Sequence, residues 1–236
     1  MASFLARALS DVAASALYRS ASVAQVVHAG PGLRTLQLEG SALRGVRWIP
    51  GAKVQLRIHG LINRTYTPTD WDPDRGSTTL VATTHGSGPG AARIASLEPG
   101  DDVQLFGPRA SIDLSRVGGA PLFVGDETSF GLALAWRTRI GRPAAYCFEV
   151  RDPGGAHSVL SALGLTDALV VRAEPAAAPL AAAVLAQADA APLTHLVLTG
   201  RAESIRQVRN AIRERQNHSG ELTVKAYWAE NRAGLD

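Results

Sequence analysis

The pattern of apolar residues changes once along this chain, at the Gly- and Pro-rich segment 117–121, and this change constrains the fold more than any other feature. Before it, short alternating runs separated by Gly and Pro predict β-strands, because successive side chains of a strand point to opposite faces. After it, apolar runs alternate with helical patterns. With 236 residues, the chain is long enough for two domains. The sequence therefore predicts an all-β domain followed by an α/β domain.

The first half predicts six short strands, of which 53–59 alternates most regularly between apolar and polar residues. Six strands separated by tight turns are typical of a small antiparallel β-barrel. We expect this barrel to span residues 21–116. Residues 1–20, with apolar residues at helical spacing, are predicted to form an amphipathic helix docked on it.

The second half, residues 117–236, carries five strand-like runs that alternate with helices. This predicts a five-stranded parallel sheet covered by helices on both faces. Such sheets bind ligands beyond the carboxyl ends of their strands, here near residues 125–128 and 199–200. No Gly-x-Gly-x-x-Gly follows the first strand, so no tight dinucleotide clamp is visible. Arg151 could meet the 2′-phosphate of NADPH, or it is a solvated loop charge.

Composition excludes several classes of function. A net charge of +3 is too weak and too scattered to predict a nucleic-acid partner. The single cysteine, Cys147, cannot form an internal disulfide or hold an iron–sulfur cluster alone, and the histidines lack ligand spacing, so no metal site is expected. No apolar run has the length of a signal peptide core or a membrane span. We therefore expect a cytoplasmic protein without stable membrane insertion.

Residues 64–67, Arg-Thr-Tyr-Thr, are the first candidate binding site. In an extended strand, Arg64 and Tyr66 share one face, where a guanidinium can pair with a pyrophosphate and a phenol can face an isoalloxazine ring. Thr65 lies between them, and Thr67 would sit near the flavin atom that accepts a hydride, as the catalytic candidate. The alternative is an edge strand with a solvated Arg, because so short a motif also arises by chance.

A Gly-rich loop about twenty residues later is the second candidate. Residues 85–90 lead into a predicted helix with Pro89 in its first turn. The free N–H groups of Gly90, Ala91 and Ala92 would point at an anion, favoured by the helix dipole. The alternative is a plain loop before a short helix. Together with Arg64, the loop predicts the second half of a pyrophosphate cradle.

With these motifs, the chain resembles the siderophore-interacting proteins, FAD-dependent ferric-siderophore reductases of the ferredoxin–NADP reductase superfamily. The resemblance rests on the Arg-x-Tyr-Thr strand and on four other stretches: His85-Gly86-x-Gly88-Pro89, Gly125-Asp126-Glu127-Thr128, Thr199-Gly200 with an Arg-rich helix, and Tyr227-Trp228 with Arg232-x-Gly234.

The resemblance implies FAD between barrel and sheet. Arg64, Thr65, Tyr66 and Thr67 would hold it from one side, with His85, Gly88, Gly90, Ala91 and Ala92 on the loop and at its phosphates. Asp126, Glu127 and Thr128 would lie at the nicotinamide end of the cleft, and Tyr227 and Trp228 near the flavin or the substrate entrance. Trp228 could equally be a core residue, because it shares a strand face with Leu222 and Val224.

Three departures from the family pattern weaken the siderophore part of the resemblance. Gly200-Arg201-Ala202 replaces Gly-Glu-Ala, Ala226 replaces the Gly before Tyr-Trp, and the chain has only two lysines, Lys53 and Lys225.

The resemblance implies electron transfer from NAD(P)H, or from ferredoxin, through FAD to Fe(III) in a siderophore or another ferric chelate. Two alternatives stay open. One is a flavin reductase of the same superfamily that feeds an oxygenase or another acceptor. The other is a non-catalytic module that binds flavin or siderophore. The sequence leaves the siderophore, the donor and the oligomeric state undetermined.

Overall fold

The computed structural model describes residues 17–60, 62–85, 88–140, 145–215 and 220–230. They form a seven-stranded antiparallel sheet followed by a five-stranded parallel sheet, so the predicted two-domain architecture is confirmed. Most of the predicted N-terminal helix lies outside the described residues. Its last part is wrong, because residues 18–20 already belong to the first strand, where they pair with residues 104–106.

The first sheet is a barrel that does not close. Its strands are β1 (Tyr18–Gly30), β2 (Leu33–Glu39), β3 (Lys53–His59), β4 (Ile62–Tyr66), β5 (Pro68–Asp72), β6 (Ser77–Thr83) and β7 (Asp102–Arg109). The prediction of six strands missed β5, because the Pro and Asp residues of this strand are typical of turns. Pro68 fits there because it is the first residue of a strand that pairs only with β6.

The opening of this barrel lies at Thr67. In the order β4-β3-β7-β1-β2-β6-β5, the two end strands are β4 and β5. They are also consecutive in sequence, and Thr67 alone joins them. The chain therefore crosses from one edge of the sheet to the other at this residue, which places the Arg64–Thr67 segment at the gap.

The second sheet is wholly parallel, as predicted. Its strands are β8 (Pro121–Gly125), β9 (Ala145–Val150), β10 (Leu169–Arg172), β11 (His195–Arg201) and β12 (Glu221–Trp228), in the order β10-β9-β8-β11-β12. The α-helices of the described residues are α1 (Pro89–Ser96) in the barrel domain, then α2 (Phe130–Ile140), α3 (Pro153–Ala162), α4 (Ala178–Ala190) and α5 (Ala202–Glu214). Helices α2 and α3 cover one face, and α4 and α5 the other.

Both domains contribute to one apolar core. Ala29 and Leu33 of the barrel pack in the same cluster as Phe123, Phe130 and other residues of the parallel sheet and its helices. Helix α2 also approaches the barrel directly, because a Cβ on Gly131 would lie 2.7 Å from the carbonyl oxygen of Thr67. This contact fixes the start of α2 at the barrel opening. The predicted boundary at residues 116 and 117 falls between β7 and β8 and stays a prediction.

Candidate functional site

A cavity of about 490 Å³ lies between the barrel opening and the carboxyl edge of the parallel sheet. This volume falls in the range of small-molecule sites. Except for Ala92 and Asp126, the wall contains every predicted site residue: Arg64, Thr65, Tyr66, Thr67, His85, Gly88, Gly90, Ala91, Glu127, Thr128, Tyr227 and Trp228. The fold therefore brings predicted site residues that are up to 164 positions apart in sequence, Arg64 and Trp228, into one wall.

Arg64 lies directly across the start of α1. A Cβ on Gly90 would come within 2.7 Å of the Arg64 Cγ and 3.1 Å of its Nε. The guanidinium donates to the Asn63 carbonyl at 2.8 Å. Within the described ranges, no carboxylate forms an ion pair with it. Gly90 thus leaves room for a cation over a helix N-terminus, an arrangement suited to a pyrophosphate.

Among the residues that the structure describes, no side chain caps the N-terminus of α1. Gly88 is the N-cap residue in extended conformation, and Pro89 follows. Gly90 and Ala91 line the cavity there. The prediction for Ala92 needs correction, because its N–H donates to the Gly88 carbonyl at 3.2 Å and the residue is absent from the cavity wall. A bound anion would therefore meet the amides of Gly90 and Ala91.

Three consecutive residues of β4 lie at the cavity. Thr65 lines the cavity together with Arg64 and Tyr66, because the cavity lies along this end strand of the sheet. Burial raises the pKa of Tyr66 to about 12, and the nearby Arg64 opposes the shift. Tyr66 therefore stays a neutral phenol, as a surface for an aromatic ring requires.

His85 is held by a glycine on a neighbouring turn. Gly32 has a φ of +71°, and a Cβ there would lie 1.8 Å from the His85 ring. Only a residue without a side chain lets the imidazole pack in this place.

Asp126 lies behind the cavity wall, where it organises the turn after β8. Its carboxylate accepts from the Thr128 amide at 2.9 Å and from the Trp228 Nε1 at 2.7 Å, and it is 2% exposed. Burial raises the pKa of this carboxyl group, and the Thr128 and Trp228 hydrogen bonds oppose the shift. Glu127 and Thr128 reach the wall itself. That this part of the cleft holds the nicotinamide, as the resemblance implies for all three residues, stays a prediction.

A β-bulge brings Tyr227 and Trp228 to the cavity together. Gly200 pairs with Ala226 and Arg201 pairs with Trp228, so Tyr227 has no partner in the register of β11 and β12. This break in alternation lets two adjacent side chains line one wall. Trp228 is not a core residue, since it is only partly buried and bonds to Asp126.

The hydroxyl group of Tyr227 is buried and has no hydrogen-bond partner within the described ranges. It faces the Thr67 side chain, across the boundary between the domains, without reaching hydrogen-bond geometry. Burial raises the pKa of Tyr227, and the nearby Thr67 side chain opposes the shift. An unpaired buried hydroxyl costs free energy, so a ligand atom at this point would be stabilising. The orphan hydroxyl, the uncapped α1 and the unpaired Arg64 together fit a flavin nucleotide.

Sequence reasoning missed several residues of the wall. Both lysines of the chain, Lys53 and Lys225, line the cavity, as does Gly131 at the start of α2. The rarity of lysine in the sequence could have pointed to Lys53 and Lys225 as site residues. The position of Gly131 within a helical pattern could have pointed to a close contact there. Arg151, a candidate from the sequence, lines the cavity as well, and its backbone amide donates to the Glu127 carboxylate at 2.7 Å.

Arg201, one of the departures noted in the sequence, belongs to a buried ionic cluster. Its Nε lies 3.6 Å from the Glu149 carboxylate and donates to the Ser204 hydroxyl at 2.7 Å, and its Nη1 reaches Glu230 at 3.3 Å. Burial raises the pKa of Glu149, with Ser204 and Arg201 opposing the shift. Arg201 is therefore neutralised within the protein.

Among the described residues, no helix is both long and apolar enough to cross a bilayer. The same residues include no group of three His, Cys, Asp or Glu placed to hold a metal ion.

A family model for the siderophore-interacting FAD-binding domain matches residues 52–112. These residues include the Arg64–Thr67 segment and the α1 turn. No curated protein sequence matches the chain.

Solved structures share the complete fold. A siderophore utilization protein from T. fusca is 22% identical, with 93% of this chain and 95% of that chain covered and a TM-score of 0.74. The siderophore-interacting protein from Acinetobacter baumannii is 16% identical, with 91% of each covered and a TM-score of 0.69. Phthalate dioxygenase reductase, a modular structure for electron transfer from pyridine nucleotides to [2Fe–2S], is 17% identical, with 91% and 70% covered and a TM-score of 0.72.

Proposed function

We propose that this chain, whose residues 52–112 match the model of the siderophore-interacting FAD-binding domain, is a flavin-dependent reductase that moves electrons from NAD(P)H to Fe(III) in a siderophore or another ferric chelate. Bound FAD would supply the step between a two-electron donor and a one-electron acceptor. Fe(II) is held less tightly than Fe(III) by hard oxygen ligands, so the chelate would release its metal after reduction.

The observation that carries this proposal is the contact of Arg64 with the uncapped start of α1. The Arg64 side chain packs against Gly90, both residues line the cavity together with Ala91, and no side chain within the described ranges caps the start of α1. A diphosphate supplies two adjacent anionic groups for such a site. Tyr66 and Thr67 extend the wall from this point toward the parallel sheet.

The residues near Thr67 would orient the reacting ends of donor and flavin. Thr67 is fixed by the packing of Gly131 against its carbonyl oxygen, and the Tyr227 hydroxyl faces it from β12. Outer-sphere electron transfer to iron needs no acid or base, so these residues bind and position. Trp228, anchored on Asp126, forms the neighbouring wall and would limit access of water.

The test is anaerobic spectroscopy of the FAD-loaded protein. We expect visible flavin absorbance to fall when NADH or NADPH is added and to return when a ferric chelate follows, with Fe(II) trapped by a colour-forming ligand. Flavin absorbance that persists with either nicotinamide donor, and also with reduced ferredoxin, would contradict the reductase proposal.

A second candidate is a reductase that feeds an oxygenase, since phthalate dioxygenase reductase has the same fold. It predicts equally good flavin reduction with no preference for ferric siderophores over other electron acceptors. A binding module without turnover would load FAD but fail with every donor. The acceptor series therefore separates the three functions.

A further inference from the structure

The parallel sheet has a crevice where ligands of such sheets bind. Strand β8 lies at the centre, the chain continues to β9 on one side, and β11 returns on the other. The loops after β8 and β11 therefore flank the switch point, which is the usual position of a dinucleotide. Asp126 follows β8 directly, and Gly200 lies near the end of β11.

The Asp126 carboxylate fills this crevice. A Cβ on Gly200, whose φ is +98°, would lie 2.5 Å from a carboxylate oxygen of Asp126. The carboxylate accepts from the Thr128 amide at 2.9 Å, from the Thr128 hydroxyl at 2.5 Å and from Trp228 Nε1 at 2.7 Å. The Trp228 side chain therefore lies against the remaining side of Asp126.

The turn before α2 is consequently not available to an anion. In dinucleotide-binding sheets, the amides after the first strand hold the pyrophosphate at a helix N-terminus. Here the Thr128 amide already donates to Asp126, and the Ser129 hydroxyl accepts from the Asp126 amide at 3.4 Å. The turn satisfies its own hydrogen bonds with a built-in carboxylate.

We propose that Asp126 takes the place that the phosphates of a dinucleotide occupy in sheets of this kind, so that the electron donor is recognised at its reduced nicotinamide and hardly at its adenylate half. This inference rests on the proposed function. Arg151 lines the cavity and is exposed, and an exposed ionic contact changes affinity by only a few-fold. Reduced nicotinamide mononucleotide should therefore be nearly as good a donor as NADH or NADPH.

The first test compares these three donors with the FAD-loaded protein under anaerobic conditions. The expected second-order rate constants of flavin reduction agree within about fivefold, in line with weak exposed contacts. A rate constant for NADH or NADPH more than tenfold above that of the mononucleotide would overturn the inference.

The second test needs no turnover and therefore stands apart from the proposed function. Calorimetry with ADP-ribose, which carries the adenylate half without the nicotinamide, should show no binding to the FAD-loaded protein at millimolar concentration. Submillimolar affinity would overturn the inference even in a protein that no donor reduces. Absence of ADP-ribose binding together with failure of all donors would refute the reductase proposal while supporting the filled crevice.

The variant Asp126→Ser sharpens both tests. Serine can still accept from the Thr128 amide as an N-cap, but it removes the carboxylate from the crevice. We expect the affinity for ADP-ribose to rise at least tenfold. We also expect the rate constant of flavin reduction by NADH to rise relative to that of the mononucleotide. The matched control is Asp113→Ser, because Asp113 accepts from the Ser115 amide at 2.9 Å in the same local motif outside the cavity. Equal ADP-ribose affinity in both variants would contradict the inference. If Asp126→Ser does not fold, the two tests on the wild-type protein decide.

Discussion

The charged groups on the two sides of the cavity differ in whether they have partners within the protein. On the barrel wall, α1 begins without a side-chain cap, and Arg64 has no carboxylate partner among the residues that the structure describes. Behind the sheet wall, the turn after β8 is capped by Asp126, and Arg201 is neutralised by Glu149 and Glu230. The difference indicates that the barrel wall is built for a charged ligand, whereas the buried charged groups behind the sheet wall hold the fold together.

This comparison makes separable predictions for stability and for binding. Substitutions in the buried ionic cluster behind the sheet wall should destabilise the protein without its cofactor. Substitutions of residues that line the cavity should weaken FAD binding and should not destabilise the apoprotein.

The largest expected effect is loss of stability in Arg201→Ala. Removing one partner of a buried ion pair leaves an uncompensated charge on Glu149 and should lower the free energy of unfolding by about 3–5 kcal/mol. Urea denaturation of the apoprotein measures this. Arg206→Ala, an exposed position on α5, is the control and should cost less than about 0.5 kcal/mol.

The same variant should have a distinctive pH dependence. Burial already raises the pKa of Glu149, and loss of Arg201 removes an interaction that lowers it. A carboxyl group whose pKa is higher in the folded state binds protons on folding. The difference in free energy of unfolding between wild type and variant should therefore shrink as the pH falls through that pKa. A deficit that grows toward acidic pH would show that Glu149 is not the group left unpaired.

Arg64→Ala should affect binding only. Loss of charge-assisted hydrogen bonds to a diphosphate should raise the Kd for FAD about 10- to 100-fold, because each such bond contributes about 1.5–3 kcal/mol. Titration of the apoprotein with FAD measures this. Arg75→Ala, in the turn between β5 and β6, is the matched control and should bind FAD like the wild type. Equal FAD affinity in both variants would show that Arg64 does not contribute to FAD binding.

Gly90→Ala should stabilise the fold and weaken FAD binding. Alanine in a helix is favoured over glycine by up to about 1 kcal/mol, so unfolding should become less favourable. Its Cβ would meet the Arg64 side chain, 2.7 Å from Cγ, and push the guanidinium away. Because Arg64 is flexible, we expect a rise in the FAD Kd of only about three- to tenfold. Gly118→Ala, where a Cβ meets nothing within 4 Å, should leave the FAD Kd unchanged.

Tyr227→Phe gives the smallest expected change. Removing a buried hydroxyl without a partner should leave the apoprotein equally stable or more stable by up to about 1 kcal/mol. The FAD Kd should rise about twofold to fivefold if the hydroxyl bonds to the bound flavin. A clear loss of apoprotein stability would mean that the hydroxyl already has a partner in the free protein.

The sequence predicted the architecture because its two halves follow different periodicities. It predicted most of the cavity wall because the Arg64–Thr67 segment and the loop before α1 are local motifs. Strand β5 was missed because Pro68 and Asp70 resemble turn residues, and only pairing with β6 makes them a strand. Periodicity also placed Tyr227 and Trp228 on opposite faces, since a bulge leaves no mark in the pattern.

The buried ionic cluster and the Asp126 contacts could not be predicted. Glu149 and Arg201 meet because β9 and β11 end at the same edge of the sheet, and Asp126 reaches Trp228 across 102 positions of sequence. Such contacts depend on strand order, which the apolar pattern does not contain.

The central claim is that the barrel wall binds the diphosphate of FAD, while the buried ionic cluster behind the sheet wall serves the fold. Titration of wild-type apoprotein with FAD, repeated with Arg64→Ala and Arg201→Ala at equal concentration of folded protein, tests it most directly. We expect one FAD per chain for the wild type, a strongly raised Kd for Arg64→Ala and a Kd within about twofold of wild type for folded Arg201→Ala. A colourless wild-type protein that takes up no added FAD, or a loss of affinity confined to Arg201→Ala, would contradict the account.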